Sequence, residues 1–240
     1  LTKLAIDIGN TRIKAGVFEN NILQTVFRFE NLEGLKLYCD ELDAETPLII
    51  SSVTNDNLTA FHQYFTNLIV LDYRTKIPIT NQYKTPETLG NDRLAAVIGA
   101  FSVYHGFNNL VVDIGTCIKY DFIDKNGIYN GGSISPGLDI KFKALNQFTG
   151  KLPLVQKSYN YNALGDNTEN ALISGVMFGT CSEIQGFINN YSDLNDNLNI
   201  ILTGGDAPYF ANKLKGTIFA EPDLVVKGLF EILNYNAPNP

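Results

Sequence analysis

The 240-residue chain has no tryptophan, one methionine, two histidines and three cysteines, and these shortages remove several classes of function. Cys39, Cys117 and Cys181 lie far apart, with no CxxC spacing and no neighbouring histidine. That argues against a structural zinc site and for a reducing compartment. Neither His62 nor His105 has a serine or cysteine in a triad setting. Arginine is scarce, four against 14 lysines, and the 18 basic residues face 25 acidic ones for a net charge of −7. With no basic run to follow a phosphate backbone, nucleic acid is not an expected partner. No apolar run reaches the ~18 residues of a membrane span, and no basic segment precedes a long apolar one near the N-terminus, so the expected address is cytoplasmic, without a membrane. Walker A and Gly-x-Gly-x-x-Gly patterns are both missing, which removes the P-loop and Rossmann readings.

What remains is an ordinary globular balance, 45% hydrophobic and 18% charged, long enough for one or two domains with a large core. One short signature occurs twice, as Ile6-Asp7-Ile8-Gly9-Asn10-Thr11 and as Val112-Asp113-Ile114-Gly115-Thr116. Around each copy the apolar pattern predicts a three-stranded antiparallel meander, with the Asp-x-Gly motif closing its first strand. Helix and strand then alternate in both halves. Helices are expected over 32–42, 57–65, 138–148, 169–191 and 224–233, and strands over 48–50, 68–71, 199–202 and 217–220. A helix from Asn91 to about His105 marks the seam, which places one half at 1–106 and the other at 107–240, packed around a shared cleft. The pattern predicts a mixed-sheet α/β fold made twice.

A glycine between two strands, with Asp before it and Thr after, offers backbone N–H groups and a hydroxyl to a phosphate, and the Asp is a hard oxygen ligand for a cation or its water shell. Two such turns can hold a polyphosphate, and phosphoryl transfer is catalysed mainly by positioning and charge neutralisation. Strand 200–202 runs into Thr203-Gly204-Gly205-Asp206 and a helix expected over 207–214, which suits close contact with a nucleoside or phosphate. Gly90-Asn91-Asp92-Arg93 opens the central helix, where free N–H groups favour an anion; Arg93 adds a cation, and Asp92 is either a first-turn carboxylate or a general base. Gly131 to Gly137 is a glycine-rich loop leading into a helix. Asp166-Asn167-Thr168-Glu169 reads first as a capping box.

Five motifs in order, D-x-G-N-T, G-x-D-R, D-x-G-T, G-G-x-I-x-P-G and T-G-G, resemble those of type III pantothenate kinases, within the acetate and sugar kinase, heat-shock 70 and actin superfamily. The resemblance implies two duplicated ribonuclease H-like, actin-like ATPase domains. It also implies ATP-dependent phosphorylation of pantothenate to 4′-phosphopantothenate, the first step toward coenzyme A. Asp7, Ile8, Gly9, Asn10, Thr11, Arg12, Ile13 and Lys14, with Thr116, would bind ATP with a divalent cation such as Mg2+. Asp92 would take the substrate proton; Tyr83, Gly90, Asn91, Asp92 and Arg93 would bind pantothenate, with Thr168 reaching across a homodimer. Asp113 would hold a monovalent cation, K+ or NH4+. One departure stands out: Lys119 replaces a threonine common in the family, on the same strand face as Asp113, so its ammonium is expected to substitute in part for that cation. Alternatives are a kinase for another small hydroxy acid or sugar, and a transcriptional accessory protein.

Overall fold

The computed structural model describes residues 2–52 and 58–237, which group into two compact units. The first comprises the chain up to Gly106, the short stretch Ile123–Gly131 and everything from Asp223 on; the second comprises Phe107–Phe122 and Gly132–Pro222.

In the first unit, β1 (Thr2–Ile8), β2 (Ile13–Glu19) and β3 (Ile22–Phe29) form the expected meander, β1 antiparallel to β2 and β2 to β3. Asn20 and Asn21 both take positive φ, the backbone that a tight two-residue hairpin requires. After helix α1 (Leu32–Asp40), strands β4 (Leu48–Ser52) and β5 (Leu68–Val70) join β1 in parallel, giving the order β3-β2-β1-β4-β5. Leu48, Ile49 and Ile50 are wholly buried, as a continuous apolar run in a parallel strand demands. Between β4 and β5 the expected helix is a 3-10 segment, Leu58–Gln63, and Asn57 lies outside the described residues. Strand β6 (Thr80–Asn81) pairs in parallel with Ile128 and Tyr129. Helix α2 (Asn91–Val103) is buried from Arg93 through Ala100 and is capped by Tyr104, with Gly106 at φ +81° in the turn beyond.

The second sheet repeats the plan. Strands β7 (Asn108–Ile114), β8 (Cys117–Ile123) and β9 (Ile128–Pro136) are neighbours in that order, while β10 (Leu198–Thr203) pairs in parallel with β7 and with β11 (Thr217–Ala220). The order β9-β8-β7-β10-β11 matches β3-β2-β1-β4-β5 strand for strand. Helices α3 (Leu138–Gln147) and α4 (Thr168–Leu194) flank this sheet, and Leu172, Val176, Met177, Ile184 and Ile188 of α4 pack into a core with Val112, Ile114, Ile118 and Tyr120. By length and composition α4 is apolar enough to cross a membrane; 39% of its most apolar stretch is buried, and the buried residues include Leu172, Val176, Met177, Ile184 and Ile188.

The helix expected over 207–214 is a correction: only a 3-10 turn, Ala207–Tyr209, forms. Past Tyr209 the bonds alternate between i to i−3 (Phe210 to Ala207, Lys213 to Phe210) and i to i−4 (Ala211 to Ala207, Leu214 to Phe210), so no regular α ladder is established before Gly216 at φ +137° ends the segment.

Helix α5 (Leu224–Asn236) belongs to the first unit and packs extensively on α2. The approach is close because the crossing is made of glycines. A Cβ on Gly228 would stand 1.7 Å from the Ala95 carbonyl oxygen, and one on Gly99 would stand 2.5 Å from that of Leu224.

Candidate active site

In the first unit the motif aspartate Asp7 sits one residue before the end of β1, beside Ser51 of β4, whose hydroxyl donates to Asp7 Oδ1 at 3.0 Å. Gly9, Asn10, Thr11 and Arg12 form the turn into β2, closed by the Gly9 N–H donating to the Arg12 carbonyl at 3.1 Å. Asn10, Thr11 and Arg12 are exposed; Ile8 and Ile13 anchor the turn in the core. Lys14, opposite Asp7 in the ladder, lies 3.5 Å from Asp223.

The second motif of this unit starts α2. Gly90 is the N-cap, and a Cβ on it would stand 2.6 Å from Asp92 Oδ1, so a side chain there would displace the Asp92 carboxylate from this position. That same oxygen accepts the Arg93 backbone N–H at 2.9 Å, which orients the carboxylate in the first helical turn. Arg93 is only 6% exposed, with its guanidinium 5.5 Å from the centre of the Tyr83 ring, which stacks in turn on Tyr129. Asn91 donates from its side chain to the Leu71 carbonyl at 2.9 Å. Gly90 and Asn91 line a cavity of about 280 Å³, together with Ser52, Leu71, Asp72 and Tyr73. The C-terminal ends of the parallel strands β1, β4 and β5 and the N-terminus of α2 thus converge on one edge, where open α/β sheets bind ligands. Ser51 and Ser52 were not singled out in the sequence, although two serines ending an apolar strand are a readable signal.

In the second unit Asp113 closes β7, and the Gly115 N–H donates to the Cys117 carbonyl at 3.0 Å across the turn that carries exposed Thr116. Two other motifs meet this turn. Gly137, the N-cap of α3, donates to the Thr116 carbonyl, and a Cβ on it would stand 2.2 Å from the Gly115 carbonyl oxygen. Gly204, at φ +90°, lies where a Cβ would be 2.4 Å from the Ile114 carbonyl oxygen and 2.5 Å from Asp113 Oδ1. Gly137 of G-G-x-I-x-P-G and Gly204 of T-G-G are therefore required by close backbone approach to the second Asp-x-Gly turn, whereas a Cβ on Gly205 would meet nothing within 4 Å. Lys119 Nζ donates to Asp113 Oδ2 at 2.7 Å, with both side chains more than four-fifths buried. Among the described residues no group of three or more His, Cys, Asp or Glu is placed to hold a metal ion.

Two polar clusters of the second unit were not foreseen. Lys157 bridges Asp206, just past the double glycine, at 2.8 Å and Asp139 at 3.2 Å; burial works to lower its pKa, but the two carboxylates win and raise it. Glu183 of α4 takes Lys141 at 2.6 Å and the hydroxyls of Tyr120 and Ser135. Burial pushes its pKa up, but the three donors outweigh that and hold it below the ordinary carboxylate value, while Tyr120 is pushed upward by burial and by the Glu183 charge. Thr168, the first residue of α4, is exposed. The cap there is Asn167, whose side chain accepts the Asn170 N–H at 2.9 Å; position three holds Asn170 instead of Glu or Gln, so the expected capping box is a simple N-cap.

The family model of type III pantothenate kinases matches residues 3–190. The chain belongs to that family. Type III pantothenate kinases of Phocaeicola vulgatus and Cytophaga hutchinsonii are 45% and 40% identical to it; each alignment covers 97% of this chain, and 98% and 99% of the relative. Among solved structures, a Campylobacter jejuni protein titled for the Baf family of transcriptional activators superposes with a TM-score of 0.64 at 24% identity, covering 97% of this chain and 98% of the other. A ROK family glucokinase from Streptomyces griseus gives 0.50 at 13% identity, covering 98% and 100%. These two likenesses establish the fold, the duplicated actin-like ATPase architecture, while membership of the kinase family rests on the sequence relatives.

Proposed function

We propose that the protein transfers the γ-phosphoryl group of ATP to the primary hydroxyl of pantothenate, yielding 4′-phosphopantothenate and ADP at the entry to coenzyme A synthesis. The observation that carries this reading is the start of α2, where Gly90 leaves room for the Asp92 carboxylate and the Arg93 N–H orients it. Asp92 takes the hydroxyl proton as the new P–O bond forms and the bond to the β-phosphate oxygen breaks. Asn91, Arg93 and Tyr83 bind pantothenate, the buried guanidinium supplying charge for its carboxylate. The turn from Asp7 to Lys14 and Thr116 bind ATP, with Asp7 the hard oxygen donor for the divalent cation that accompanies the phosphates. When bound, that cation neutralises developing phosphate charge.

We propose that the protein is a homodimer that packs through α4. Its uncovered side carries Ala171, Gly175, Phe178, Gly179 and Ser182 at helical spacing, with nothing from its own subunit within 4 Å of a Cβ built on either glycine. Small residues around one aromatic suit close packing against a second copy, with Thr168 at the end of the same helix. The test of the activity is ADP release on adding pantothenate to protein, MgATP and a coupled assay, with the product's mass raised by one phosphate. ATP turnover indifferent to pantothenate would overturn it.

A further inference from the structure

The two Asp-x-Gly carboxylates are equivalent in the duplicated plan but differ in what they touch. Asp7 takes a hydroxyl from Ser51, and Asp113 takes a full ammonium from Lys119. At 2.7 Å the contact has the length of a strong charge-assisted hydrogen bond. The other carboxylate oxygen, Oδ1, faces the backbone of Gly204, so the T-G-G segment closes that side. Asp113 is thus enclosed by its own strand, by Lys119 and by a glycine turn, and the place where a monovalent ion would sit against it is taken by a cation already in the chain. An ammonium on a tether competes at a high effective concentration with any ion from solution. These residues do not fit an added K+ or NH4+ at Asp113.

We propose that Lys119 is a built-in monovalent cation, which neutralises Asp113 permanently and frees the enzyme from dependence on K+ or NH4+. The inference rests on the pantothenate kinase reading for its rate measurements, but not for its ion-binding arm. It makes Lys119 a positioning residue: it fixes the charge and orientation of Asp113, and through it the Gly115 to Thr116 turn and the Gly204 backbone. A lysine that merely packed against the strand would not give the rest of the chain any sensitivity to alkali-metal identity when replaced.

The experiment compares wild type, Lys119→Thr and Lys119→Met in Tris buffers at one ionic strength, containing NaCl, KCl or NH4Cl. Initial rates of pantothenate-dependent ADP formation are expected to agree within twofold across the salts for wild type. Lys119→Thr, which opens space and leaves a hydroxyl beside Asp113, is expected to lose tenfold or more in NaCl and to recover most of it in KCl or NH4Cl. Lys119→Met, which fills the space without charge, is expected to be slow in all three. Thermal melting without substrates gives the second arm: KCl in place of NaCl should raise the melting temperature of Lys119→Thr and leave wild type unchanged. The proposal is overturned if wild type falls tenfold or more without K+ or NH4+, or if Lys119→Thr shows no difference between salts in rate or in melting. Absence of pantothenate-dependent turnover in every salt would instead refute the activity reading, and the melting arm would still decide the role of Lys119.

Discussion

Replacing Gly228 by alanine sets two well-known effects against each other with opposite signs. Helix propensity alone predicts that the change, in the interior of α5, stabilises the protein by about 1 kcal/mol. The packing predicts the reverse. A Cβ at this position would lie 1.7 Å from the Ala95 carbonyl oxygen and 2.8 Å from the Gly99 nitrogen, both backbone atoms of α2 that no rotamer change can move aside. To restore even a tight contact the helices must separate by about 1.3 Å, and a gap of that order forfeits roughly half of the dispersion attraction across the interface it opens. Overpacking costs about 1–3 kcal/mol where side chains can yield and more where they cannot. With the propensity gain subtracted, the net destabilisation is about 3 kcal/mol, or a fall in Tm of about 6–12 °C for a chain of this size. Urea and thermal unfolding followed by circular dichroism would measure it, with Gly99→Ala as a companion expected to shift the same way. A Gly228→Ala protein as stable as wild type, or more so, would refute the reasoning, and with it the account of how α2, which carries Gly90 to Arg93, is fixed in place.

Other perturbations have equally definite outcomes. Glu183 has its folded-state pKa held below the unfolded value of about 4.5, so its contribution to stability is complete above that value and is lost as the pH falls through the lower folded one. Urea midpoints of wild type should therefore drop more steeply between pH 5 and 3 than those of Glu183→Gln; parallel slopes would contradict the assignment. Arg93→Ala should raise the pantothenate KM by tenfold or more with a much smaller change in kcat, and Arg93→Lys should not restore it, since a point charge does not reproduce the guanidinium fork over Tyr83. Gly179→Leu adds bulk where its own subunit leaves open space, so sedimentation velocity should show a folded monomer replacing a dimer, and an unchanged sedimentation coefficient would remove α4 from the interface.

Much of this was legible in the sequence, for identifiable reasons. The meander pattern could be read because period-two alternation and the Asn20-Asn21 hairpin are local signals, and the duplication because the Asp-x-Gly signature repeats. The contact of Lys119 with Asp113 followed from strand alternation on one face. What could not be read depends on partners distant in the chain. The need for glycine at 204 and 137 comes from the backbone of residues 114–116, the Asp7 partner Ser51 is supplied by another strand, and the bridge from Lys157 to Asp206 and Asp139 joins three separate segments. The helix expected after Asp206 forms only mixed i to i−3 and i to i−4 turns, because so short a run before Gly216 does not propagate beyond its first turns.

The central claim is that Asp92 is the base that accepts the pantothenate hydroxyl proton. Its most direct measurement pairs turnover with binding for wild type and Asp92→Asn, a change that keeps shape and removes the base. The account predicts a kcat lower by about 10²–10⁴-fold, with the pantothenate Kd from calorimetry within about threefold of wild type. An Asp92→Asn enzyme turning over at near the wild-type rate would contradict it.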